Sequence, residues 1–97
     1  MASDEGRDGR SWTFLSNHGH VLLSIHDDPD ARLRDIATRV GITERAAQLI
    51  VQDLERAGYV RKERVGRRNH YTVVKGRSFR HPAEADRSVD DLLRIFS

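Results

Sequence analysis

Arg45, Gln48 and Gln52 stand three and four residues apart, and Arg61, Lys62, Arg64, Arg67 and Arg68 crowd the stretch that follows. Side chains at those intervals share one face of a helix. A guanidinium offers parallel N–H donors and a carboxamide offers one acceptor beside a donor, so each suits two-pronged recognition of a planar polar edge or an oxyanion. Bond-breaking chemistry has no comparable pattern. The chain holds no Gly-rich phosphate loop, no GxSxG and no HExxH, so neither an enzyme nor a bound cofactor is expected. The absence of cysteine excludes a disulfide framework, a thiolate metal site and a thiol nucleophile. His18 and His20 would project about 200° apart on a helix, and adding His26 on the face of His18 leaves the set too small for zinc. No metal site is expected.

The 97 residues suffice for one domain. Leu, Ile, Val and Phe make up about a quarter of them, enough for a small folded core. The net charge of +2 hides a strong segregation. Residues 1–30 hold two basic against six acidic side chains, residues 31–80 thirteen against five, and residues 81–97 two against four. A basic centre flanked by acidic ends points to a polyanionic partner. The opening residues lack the apolar core of a secretory signal, and no apolar run approaches the roughly 18 residues of a membrane span. A cytoplasmic protein without membrane contact is the expectation.

Residues 1–11 are polar and aperiodic, and are predicted to be a disordered tail. Trp12 and Phe14 then read as core anchors ahead of a first helix capped by Ser16 and stopped at Asp27, Asp28 and Pro29. Leu33, Ile36, Ala37 and Val40 predict a short second helix ending at Gly41. Thr43 caps a third, which runs to Ala57 and stops at Gly58. At 100° per residue, Ala47, Ile50, Val51 and Leu54 fall on one arc of that helix, opposite Arg45, Gln48, Gln52 and Arg56. The pattern then turns strand-like over 59–65 and 70–75, with Gly66, Arg67, Arg68 and Asn69 as the turn. Val60 and Val65 have opposite parity, which predicts a bulge or an early strand end. A last amphipathic helix is expected from Pro82, with Ala85, Val89, Leu92, Leu93 and Phe96 on its apolar side.

Two short helices around a Gly-containing turn make a helix-turn-helix. With the preceding helix and the basic hairpin they describe a winged helix: an α+β, mostly α fold with a three-helix core, a β-hairpin wing and an extra C-terminal amphipathic helix. Residues 33–71, LRDIATRVGITERAAQLIVQDLERAGYVRKERVGRRNHY, resemble the winged helix of MarR- and ArsR-type bacterial transcriptional regulators. Leu54, Gly58, Tyr59 and Val60 match the end of that pattern, while Thr43 and Gln48 fall where its DNA-facing polar residues stand. The resemblance implies a recognition helix and a basic wing. It divides the chain into a winged-helix domain over 12–76 and a connector with a C-terminal dimerisation helix over 77–97.

Double-stranded DNA is the partner this arrangement suits. A helix over 43–57 fits the major groove, whose base edges present a distinguishable donor and acceptor code. The candidates for base reading are Thr43, Glu44, Arg45, Gln48, Leu49 and Gln52. Arg45 suits guanine O6 and N7, either glutamine suits adenine N6 and N7, and Leu49 would meet a thymine methyl or shield a neighbour. Thr43 is also within reach of phosphates. Arg34 and Arg39 from the second helix, with Arg61, Arg64, Arg67, Arg68 and Asn69 of the wing at 61–75, are assigned to the backbone or minor groove. His70 reads as a packing or phosphate-facing residue.

The apolar side of the last helix, Ala85, Val89, Leu92, Leu93 and Phe96, must be covered by its own domain or by a second copy, and of the two a homodimer is expected. The alternative is a winged helix used as a protein-interaction or RNA-binding module. A protein-binding helix would more often display aromatic or Leu anchors, and here only Leu49 qualifies. No pattern in the chain names a small-molecule effector.

Overall fold

A computed structural model describes residues 12–97, so the tail predicted over 1–11 lies outside the described residues. Helix α1 spans Asn17–Asp27, α2 Leu33–Val40 and α3 Glu44–Arg56; strands β1, Val60–Val65, and β2, Arg68–Val73, follow, and α4 spans Val89–Ile95. This is a winged helix, mostly helical, with the β1–β2 hairpin as the wing and α4 beyond it.

The helix ends sit where local chemistry puts them. Ser16 and Thr43 are extended N-caps whose hydroxyls accept from Gly19 N at 3.2 Å and Ala46 N at 3.0 Å. Such caps satisfy backbone donors that have no partner inside the helix. At the end of α3, Gly58 N–H donates to Glu55 O and Tyr59 N–H reaches back to Leu54 O, at 3.1 and 2.9 Å. That double closure needs a left-handed residue after the cap, and Gly58 supplies it with φ 85°. The Leu54, Gly58, Tyr59 pattern is therefore a helix stop written in residue types.

The core forms where α1, α2 and α3 meet. Val21 and Ile25 of α1, Ile36 of α2 and Ala47 of α3 are almost wholly sealed from solvent, with Ile50, Val51 and Leu54 completing the α3 contribution. The hairpin adds Val60 and Tyr71, and α4 adds Val89 and Leu93. Burial pushes the Tyr71 hydroxyl above its ordinary pKa, with Asn69 opposing through a side-chain hydrogen bond and Glu55 adding to the rise.

Four expectations are corrected. Trp12 and Phe14 are not core anchors: they are 70% and 93% exposed and stack edge-on against each other at 5.1 Å. Helix α1 begins only at Asn17, and its inward positions are filled by Val21, Leu22 and Ile25. The wing turn is two residues, not four. Strands β1 and β2 pair without a bulge from Val60↔Val73 to Val65↔Arg68, and only Gly66 takes a positive φ, 63°. A glycine at the first central position followed by a residue of negative φ has the signs of a type II′ turn, which matches strand twist and lets Arg68 and Asn69 join the strand. Val65 simply faces solvent.

The last helix does not start at Pro82. Residues Pro82–Glu84 form one 3-10 turn, and α4 begins after its cap Ser88. An antiparallel bridge between Ser78 and Ser88, with Val89 N–H donating to Arg77 O at 2.8 Å, holds the chain extended there and blocks a continuous helix. Ala85 consequently lies outside α4 and is exposed. Among the described residues no helix is long and apolar enough to cross a membrane.

Replacing Ile25 by Ala should cost about 2–5 kcal/mol, read as a lower urea midpoint; a change under about 0.5 kcal/mol would contradict the three-helix junction as the core.

Candidate nucleic-acid interface

The inward arc of α3 fixes its outward arc. With Ala47, Ile50, Val51 and Leu54 buried, Glu44, Arg45, Gln48 and Leu49 are exposed and Gln52 is half-buried. Leu49 is 48% exposed, an apolar patch between polar neighbours. Among the described residues, Arg45, Gln48 and Gln52 make no side-chain hydrogen bond, so their donors and acceptors are presented outward. Thr43 spends one lone pair on the cap of α3 and keeps its hydroxyl hydrogen for a ligand.

The start of α3 does not stand alone. A cleft of ≈ 410 Å³ is lined by Arg32 and Leu33 at the start of α2, Glu44 of α3, and Arg67, Arg68 and Asn69 of the wing. The beginnings of two helices, each with its partial positive charge, thus face the tip of the hairpin across one groove. Arg32 is a site residue that sequence reasoning missed. Its signal was its place directly before the Leu33 periodicity, which makes it the N-cap of α2, a position without a side-chain cap bond here.

The other predicted positions divide. Arg67 stands exposed at the tip. Arg68 lends one nitrogen, Nη2, to Asp30 O at 2.7 Å, and its remaining donors stay available. Arg64 and Arg61 are both exposed, but the register sets Arg64 opposite Asn69 and Arg61 opposite Thr72, on opposite faces of the ribbon. Asn69 is half-buried. Arg34 is exposed on α2. Arg39 points elsewhere: it donates to Asp27 at 2.8 Å and lines a different cleft, shared with His20, Val40 and Phe96.

Arg77, one of the basic residues that follow the wing, is structural. Its guanidinium lies 6.0 Å from the centre of the Tyr59 ring and donates to Ala57 O at 3.3 Å, at the end of α3. Tyr59 in turn donates its hydroxyl hydrogen to Ser78 O. His18 pairs with Asp53 at 2.8 Å and His70 with Asp30 at 2.7 Å, so His70 is turned to a carboxylate of its own chain. Among the described residues no cluster of three or more His, Asp or Glu could hold a metal ion.

On the apolar side of α4, Val89 and Leu93 enter the chain's own core and Leu92 is half-buried. Phe96 stays 56% exposed beside Ile95 at 73%. The predicted dimerisation stripe is therefore split between inside and outside, and Ile95 joins its outer part.

Residues 16–61 match the winged helix-turn-helix DNA-binding family. The match spans α1, α2 and α3 and ends at the second residue of β1. No curated protein matches the chain.

Arg77→Met should lower stability by about 1 kcal/mol through the lost stacking and carbonyl contact. It should leave the salt dependence of duplex binding as in the wild type. A slope shallower by about one in log–log terms would instead put Arg77 on a phosphate.

Proposed function

We propose that this chain is a sequence-specific, double-stranded DNA-binding transcriptional regulator that acts in the cytoplasm. The recognition helix at 43–57 enters the major groove, and the wing at 61–75 lies over the adjacent minor groove or backbone. The observation that carries this reading is the outward arc of α3. Arg45 and Gln48 are exposed without side-chain partners among the described residues, on the helix whose first residue, Glu44, lines a groove with Arg67 and Arg68. The family match over residues 16–61 supports it.

In this reading Arg45 pairs with guanine, Gln48 and Gln52 address adenine, Leu49 meets a thymine methyl, and Thr43 and Glu44 complete the base-reading set. Arg32, Arg34, Arg64, Arg67 and Arg68 hold phosphates or the minor groove. Arg39 is left out, because its side chain runs beside Asp27 into a different cleft, shared with His20, Val40 and Phe96. A second copy of the chain completes the regulator. The exposed Ile95 at the end of α4 and its cap residue Phe96 are the surface offered to it, and a two-fold dimer would read half-sites about 34 Å apart.

Neutralising about six phosphates gives log K a slope near −5 against log salt. A gel-shift series with random duplexes should show that slope, and no binding to any duplex at low salt would sink the proposal. Arg45→Ala should cost about 1–3 kcal/mol at a single base pair of a selected site, whereas Arg67→Ala should weaken all sequences alike. Phe96→Asp should shift sedimentation from dimer to monomer; a folded variant that sediments as the wild type does would remove the dimer from the account.

A further inference from the structure

We propose that Asp30, in the connection between α1 and α2, is a positioning residue that sets the stance of the wing against the recognition helix. The inference rests on the DNA-binding reading above and adds to it the part that aims the hairpin.

A two-stranded ribbon is marginal alone, and its direction is set by whatever its base is tied to. Three ties converge from β2 onto two residues of the connection. Tyr71 N–H donates to Pro29 O at 3.0 Å, in the plane of the sheet where a third strand would pair. Arg68 Nη2 donates to Asp30 O at 2.7 Å. His70 Nδ1 lies 2.7 Å from Asp30 Oδ1, and since a carboxylate only accepts, that nitrogen carries the hydrogen. The connection is itself braced: Asp28 Oδ1 accepts from Asp30 N at 3.1 Å, and Asp28 O accepts from Ala31 N at 3.1 Å. Helix α2 starts at Leu33 and packs on α3 through the core, so wing and recognition helix are referred to the same bracket.

The charge of Asp30 makes the inference separable from electrostatics. Asp30 stands on the wall of the groove with Arg32, Arg67 and Arg68, where the phosphates would pass. Judged by charge alone, removing it should strengthen DNA binding and steepen the salt dependence. As a holder of the wing, its carboxylate fixes His70 while the backbone ties to Pro29 O and Asp30 O persist, so its removal should loosen the tip and weaken binding, because Arg67 would be kept less firmly near the backbone. Glu63, the carboxylate opposite His70 across the ribbon, is part of the wing, so a contact with it could not tie the wing to the body.

The chain has no cysteine, so two introduced ones can be spin-labelled without background. Arg67→Cys at the wing tip and Arg56→Cys on α3 should give a narrow distance distribution by pulsed electron resonance. It should broaden in Asp30→Ala and in His70→Ala, and Asp30→Asn, which keeps an acceptor oxygen, should restore much of the narrow form. Circular dichroism of each variant checks the helices. In unlabelled protein with a random duplex, Asp30→Ala should bind about tenfold more weakly, with a log–log salt slope shallower by about 1–2. An unchanged distance distribution in Asp30→Ala, or tighter binding by that variant, overturns the proposal. Failure of the wild type to bind any duplex overturns the DNA reading, while the distance measurement still decides whether Asp30 holds the wing.

Discussion

The whole arrangement depends on how closely α3 sits against α1 and α2. Ala47 has only a methyl group, too small to hold the helices apart, and it is fully buried in the core cluster that also contains Val21, Ile25 and Ile36. With about a third of the residues charged, the chain has few apolar side chains to spare, so α3 commits each of its large inward positions to that junction. Once Ile50, Val51 and Leu54 are turned in, the rotation of the helix is set. The side of α3 that carries Arg45, Gln48 and Leu49 has no remaining choice but solvent or a ligand.

Rotation alone would not make an interface, because a recognition surface also needs edges. The double closure at Gly58 ends α3 and sends Tyr59 and Val60 directly into β1, so the hairpin rises from the far end of the same helix. It then returns along the connection between α1 and α2, which brings Arg67 and Arg68 to the groove that begins at Arg32 and Glu44. Arg77, stacked on Tyr59 and bonded to Ala57 O, braces the junction from behind. Basic residues that look equivalent in the sequence thus divide into those that hold the fold and those left facing outward.

What could be seen in the sequence was whatever short-range chemistry decides. Ser16, Thr43, Gly41 and Gly58 mark helix ends because caps and left-handed closures are satisfied within a few residues, and all four mark real ends. The inward arc of α3 was legible because 3.6-residue periodicity needs no knowledge of the partner. What escaped depended on distant contacts. Phe14 reads as core from its type alone, yet the inward positions of α1 are already filled by Val21, Leu22 and Ile25. The pairing of Ser78 with Ser88 that delays α4, the capture of Arg39 by Asp27, and the ties from β2 to Pro29 and Asp30 all join residues ten or more positions apart. Of the site, the outward face of α3 and the tip of the wing were visible in this way; Arg32 and the fixed role of Arg77 were not.

In the proposed function, duplex DNA enters the one groove bounded by the start of α3 and the tip of the wing. Amide chemical-shift mapping of isotope-labelled protein with a short duplex at low salt tests it most directly. Perturbations should concentrate at 32–34, 43–52 and 64–69, with α1 and the exposed end of α4 little changed. Perturbations centred instead on Trp12, Phe14, Ile95 and Phe96, with α3 silent, would contradict it.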